Sequence, residues 1–275
     1  MNQNPFSIYD FLGYLIPGGL FLYLFYFCGI TLEWEVILQL KKIAQEQANA
    51  LSLLGYTSAV ILAYVIGHAI SIVSAFFIEK YMNDSLEYPS IYLFWRMNNN
   101  FKIEKSKSKV RALKYLLVNL LLLPILIIDK ITFNMFYSRE LTKELAIPLW
   151  EMLDKAYDRN FSIKLNQLKT PYALEGDLFR LAYHYAYEHS AQHQAKIQNY
   201  VALYGFCRNV CFVFLIFFWV STITAIVHYS SDITIGFNIL ALIYTLSLTY
   251  IFYSGFVKFY RRYSLEVLMA FSVIK

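Results

Sequence analysis

The chain has 275 residues, 58% hydrophobic and 19% aromatic, with only 16% charged, where soluble domains carry about 25% charged residues. At about 20 residues per membrane helix, this length holds a few spans and one modest extra domain and excludes a large transporter. The net charge of +5 is shared between membrane flanks and one basic loop and does not by itself indicate nucleic acid.

Residues 1–10 contain no Lys or Arg, and no small-residue cleavage site follows the first apolar run, so the first span is expected to stay in the mature protein. That span runs from about Tyr9 to Ile30 and is interrupted by Pro17, Gly18 and Gly19. Such a group favours a kink or half-helix whose freed backbone groups are satisfied by neighbours. Residues Glu33 to Ala50 read as a short amphipathic helix, with Val36, Ile37, Leu40 and Ile43 on one side and Lys41, Lys42 and Glu46 elsewhere.

A second span covers about Leu51 to Ile78. His68 lies near its middle, and Gly67 forms a small-residue stripe with Ala63, Ser71, Ser74 and Ala75. The stripe suits close helix packing or a pore lining, and the sequence leaves both open. The run Tyr115 to Ile128 is too short for an ordinary span and is interrupted by Pro124. An interfacial, re-entrant or buried segment fits it better.

Residues 80–206 form an insert expected to be mostly helical. One helix is expected over Arg139 to Tyr157, with Leu141, Leu145, Leu149 and Leu153 on one face. Another opens near Pro171, with Glu175 and Asp177 favouring its positive N-terminus. It meets no obvious stop before the third span, so one rod is expected to run from the insert into the membrane. The third and fourth spans, about 208–228 and 235–256, are joined by a linker without Lys or Arg.

The expected fold is an all-α integral membrane protein: a transmembrane pair in 1–79, a helical cytoplasmic insert in 80–206, and a second pair with a basic tail in 207–275. Lys and Arg accumulate on the cytoplasmic side of bacterial membranes. With both termini inside, only Lys41 and Lys42 of the 24 Lys and Arg face outward. The cluster from Lys102 to Lys114 and the trio Lys258, Arg261 and Arg262 fall inside. Counting Tyr115 to Ile128 as a span would put Arg261 and Arg262 outside, which is the reason for rejecting it. A multi-pass protein of the bacterial inner membrane is the expected location.

Chemistry-bearing residues are few. Arg180, His184, His189 and His193 fall on the expected long helix and are candidate ligand contacts in the insert. His189 and His193, four apart, would share a helix face, but a metal site would need a third ligand from elsewhere. Solvated or interface histidines are the plainer reading. In the spans, Gly67, His68, Ser71, Ser221 and Thr222 are candidates for helix packing or a weakly polar conduit. No Asp, Glu, Lys or Arg is expected deep in a span, which argues against a proton-coupled transporter or voltage sensor. The basic loop residues Lys105, Lys107, Lys109 and Arg111, beside the apolar run from Tyr115, have the composition of a segment lying on anionic lipid. A solvated loop or a nucleic-acid contact would look similar. Cys28, Cys207 and Cys211 lie in or beside apolar runs and suggest packing rather than a disulfide framework. There is no phosphate-binding glycine loop, serine elbow or evident carboxylate pair, so no cofactor, metal or catalytic residue is expected and an enzyme is the minority reading.

The opening Phe6 to Gly18 (FSIYDFLGYLIPG) and the closing Phe259 to Leu268 (FYRRYSLEVL) resemble the ends of membrane effector subunits of bacterial anti-phage defence systems, the channel subunit of Hailong-type systems in particular. The resemblance implies a homo-oligomeric pore that opens when a partner enzyme makes or withdraws a nucleotide or oligonucleotide signal. Arg180 and His184 also resemble the arginine and histidine of HEPN-type ribonucleases, with a shorter spacing, which implies a membrane-tethered ribonuclease as the alternative. A membrane anchor for a partner protein is the third reading.

Overall fold

The structure, a computed structural model, describes residues 8–46, 52–97, 118–131, 140–168, 174, 176–227 and 232–274. Every secondary-structure element among them is helical. Four helical stretches, Phe11–Thr31, Gly55–Tyr92, Ala191–Val227 and Asn238–Val273, are long and apolar enough to cross a membrane. The chain is an all-α membrane protein. It divides into two compact units, Met1–Phe76 with Gly205–Tyr253, and Phe77–Tyr204 with Ser254–Lys275.

In the first unit, a π-helical turn Phe11–Leu15 leads into α1 (Ile16–Thr31). Pro17 has no N–H for the Gly13 carbonyl four residues back. Asn209 Nδ2 donates to that carbonyl at 2.7 Å, so the group freed by proline finds its partner on another helix. After α1 comes α2 (Glu35–Glu46), then α3 (Ser52–Ser74). Val36, Leu40 and Ile43 of α2 are exposed, while Ile37 is buried.

Helix α1 with its preceding turn and α3 meet backbone to backbone. A methyl group on Gly18 would stand 1.8 Å from the Ala63 carbonyl oxygen, and one on Gly67 would stand 2.0 Å from that of Tyr14. Only glycine permits either approach.

In the second unit, a π turn Ala75–Glu79, begun in the first, passes into α4 (Lys80–Leu86), and a helical turn Pro89–Tyr92 follows. Helix α5 (Leu123–Ile131) begins inside the apolar run Tyr115 to Ile128 and continues three residues past it. Leu122 and Ile125 are fully buried there, but Leu123 and Ile127 are exposed, so one side is packed into the unit and the other is not.

Helix α6 (Lys143–Phe161) begins later than expected, because Leu141 precedes it with its N–H bonded to the Leu93 carbonyl at 3.0 Å. Leu141, Leu149 and Leu153 are buried but Leu145 is exposed; Ala146, Ala156 and Tyr157 complete the packed face. Helix α7 (Asp177–His189) starts after Gly176, whose φ of 67° suits glycine. The expected start at Pro171 lies outside the described residues.

The expected unbroken rod is corrected at Ser190. That residue takes φ −131°, ψ 83°, which ends α7, and its carbonyl accepts from the N–H groups of His193 and Gln194 to start a new helix. This is α8 (Ala191–Val227), which does continue into the third span. Helix α9 (Asp232–Val273) has 42 residues. At 1.5 Å per residue it is about 63 Å long, twice a hydrocarbon core of about 30 Å. Its last turns are core rather than a simple tail: Val267, Leu268, Ala270 and Phe271 are fully buried, and Phe271 lies against Tyr157 with centroids 4.7 Å apart.

Candidate functional site

The second unit contains a pocket of about 390 Å³, in the range that holds small ligands. Residues one turn apart on α7, α8 and α9 converge on it. Tyr183 comes from α7, Tyr204 from α8, and Tyr260 and Tyr263 from α9, with Tyr88 from the turn before Pro89. Tyr204 lies 5.1 Å from Tyr260 and 5.6 Å from Tyr263 between centroids. Ser90 is fixed by donating to the Leu174 carbonyl at 2.9 Å.

Arg180 and His184 line the same pocket. The Arg180 guanidinium stands 3.9 Å from Asp177, with both side chains strongly exposed. An exposed pair of this kind contributes little stability and leaves the guanidinium able to meet an anion. The Tyr183 phenol is pushed up from its ordinary value, first by burial and then by Tyr187, so it keeps its proton and can donate a hydrogen bond. Aromatic faces beside a guanidinium can hold a flat ring that carries negative charge.

His189 and His193 do not join this pair, and the expected shared face is corrected. The break at Ser190 puts them on different helices. His189 stacks on Tyr185 at 4.2 Å and donates through Nδ1 to its carbonyl at 2.9 Å. His193 Nδ1 donates to Glu266 at 2.6 Å, and Lys196 stands 3.8 Å from the same carboxylate oxygen. Among the described residues no group of three or more His, Cys, Asp or Glu is placed to hold a metal.

The first unit contains a polar network that the sequence did not reveal. Arg208 is only 7% exposed and Asn209 1%. Arg208 donates through Nε to Ser74 Oγ at 3.1 Å, and through Nη2 to the Ser71 hydroxyl at 3.1 Å and carbonyl at 3.3 Å. Ser74 Oγ donates to Asn209 Oδ1 at 2.5 Å, and Asn209 closes the network on Gly13. Arg208, at the start of the expected third span, is buried among the packed helices of this unit. Hydroxyl and carbonyl acceptors offset the cost of burying its charge.

The other span candidates are placed as follows. Gly67 is a packing residue. His68 stacks on Tyr14 at 3.8 Å and meets Tyr64 edge-on at 4.6 Å. Ser71 is an Arg208 acceptor. Ser221 lines a second cavity, within the first unit, and Thr222 donates back to the Phe218 carbonyl at 2.8 Å. Cys28, Cys207 and Cys211 are free thiols. Lys105, Lys107, Lys109 and Arg111 lie outside the described residues.

The chain matches no protein family, no curated protein and no solved structure.

Proposed function

We propose that the protein is a homo-oligomeric membrane pore, not an enzyme, gated through its second unit in bacterial antiviral defence. In this reading the second unit is cytoplasmic, both termini are inside, and the ligand is a nucleotide or oligonucleotide made by a partner enzyme. The observation that carries the reading is the tyrosine-lined pocket with Arg180 at its edge, built partly by α8 and α9. Those two helices also supply residues to the first unit without interruption, so a ligand that shifts Tyr204 acts on the helix that carries Arg208. The stacking faces suit a base and the guanidinium suits a phosphate.

Planar-bilayer recording of the purified protein tests this. Currents are expected when extract from phage-infected bacteria is added, and Arg180→Ala should abolish the response. Bilayers that stay silent despite confirmed insertion would contradict it.

A second reading, a membrane-tethered ribonuclease, is favoured by one observation: Arg180 and His184 share a single pocket. Replacing both with Ala should then abolish RNA cleavage and toxicity. Toxicity unchanged in that double variant would remove this reading.

A further inference from the structure

Helix α1 ends in a closure whose geometry asks for glycine and finds glutamate. Trp34 N–H donates to the Gly29 carbonyl at 2.8 Å and Glu33 N–H to that of Ile30 at 3.2 Å, the two bonds of a Schellman motif. The residue between them must be left-handed. Glycine does this without strain, whereas Glu33 is held at φ 52°. Backbone strain of this kind is a pointer to function when the side chain has somewhere to act.

Glu33 lines an open-sided cavity of about 460 Å³ between α1, α8 and α9 within the first unit. Leu24, Phe217 and Val220 contribute an apolar wall. The polar groups gather near one end. Thr31 and Glu33 sit where α1 stops, Thr224 lies in the last turns of α8, and Asn238, only 8% exposed, lies in the early turns of α9.

Several of these groups present acceptors, while Ser221, Asn238 and Tyr244 of the same lining can also donate. The hydroxyl protons of Thr31, Thr224 and Thr245 are given to the carbonyls of Phe27, Val220 and Ala241 on their own helices. Their oxygens therefore present acceptors, and Glu33, an exposed residue at the cavity's edge, brings a negative charge to its mouth. A ligand suited to this lining has an apolar body and a head rich in N–H donors.

We propose that this cavity binds an amphipathic primary amine, with its apolar ring or short chain against Leu24, Phe217 and Val220 and its ammonium group at Glu33. The site is separate from the tyrosine-lined pocket and does not depend on the pore reading.

The test uses the full chain in lipid nanodiscs with radiolabelled 2-(1-naphthyl)ethylamine as probe and empty nanodiscs as background. Saturable binding at one site per chain is expected, with the neutral alcohol of the same ring system at least about tenfold weaker. Glu33→Gly is the decisive variant, because it relieves the left-handed strain while removing the carboxylate. Its melting temperature should be unchanged or higher, and its affinity should fall at least about tenfold. Binding no greater than that of empty nanodiscs, or undiminished binding in Glu33→Gly, would overturn the proposal. So would a phospholipid that native mass spectrometry finds retained in stoichiometric amount and that the amine does not displace.

Discussion

The two units solve the burial problem by different means. In the first, α1 and its preceding turn lie against α3 at two glycines, and a buried Arg208 is surrounded by serine and carbonyl oxygens. In the second, Tyr157, Phe161, Tyr185 and Phe271 form an aromatic cluster under α6, α7 and the end of α9. The difference parallels the one between packing among lipid tails and packing in water. Against lipid tails, apolar contact between helices gains little over contact with the tails, so close backbone approach and hydrogen bonds select the partner. Against water, apolar burial itself drives packing.

Four substitutions can break or sharpen that contrast. The largest effect is expected in the aromatic core, where Phe271→Ala should cost about 4 kcal/mol in denaturant unfolding of the detergent-solubilised protein. A cost under about 1 kcal/mol would show that the second unit does not depend on apolar burial. Next comes Gly67→Ala, which forces a methyl into the Tyr14 carbonyl and should cost on the order of 3 kcal/mol. Wild-type stability there would mean that the two helices separate freely.

Asn209→Leu keeps the apolar volume but leaves the Gly13 carbonyl without that side-chain donor. A loss of about 1 kcal/mol is expected, the scale of interhelical hydrogen bonds in membranes, and thermal melting in detergent reads it. The smallest effect at neutral pH belongs to Tyr157→Phe, which removes the hydroxyl's donation to the Leu178 carbonyl at 2.7 Å and should cost on the order of 0.5 kcal/mol.

The same tyrosine has a pH signature. Burial raises its phenol above the ordinary value of 10.0, so the folded state holds the proton more tightly than the unfolded chain. The resulting stability is complete below that value and declines as pH rises above it. Stability measured at about pH 9 and about pH 11 should fall less in Tyr157→Phe than in the wild type. An identical fall in both would remove Tyr157 from the account.

Legibility in the sequence tracked how local each cause is. The spans could be read because apolar runs of membrane length are a local property, and the small-residue stripe around Gly67 could be read from spacing alone. Arg208 could not, since a charged residue at the edge of an apolar run looks like a boundary. Its acceptors Ser71 and Ser74 are more than 130 positions away, and the clue that Pro17 frees the Gly13 carbonyl says nothing about who supplies the donor. Ser190 looked unremarkable because serine is a weak stop signal, yet it is a natural start for the next helix, and its break sends His193 to Glu266. Within the tyrosine-lined pocket, Arg180 and His184 were legible as neighbours on one helix. Tyr88, Tyr204, Tyr260 and Tyr263 were not, because they reach α7 from three separate segments.

The membrane arrangement is tested most directly by thiol labelling in intact bacteria. In a variant with Cys28, Cys207 and Cys211 replaced by Ser, single cysteines are placed by Lys42→Cys in α2 and Lys155→Cys in α6, both at exposed positions. A membrane-impermeant maleimide should label the first in intact cells and the second only after the membrane is opened. Labelling of Lys155→Cys in intact cells would contradict the account.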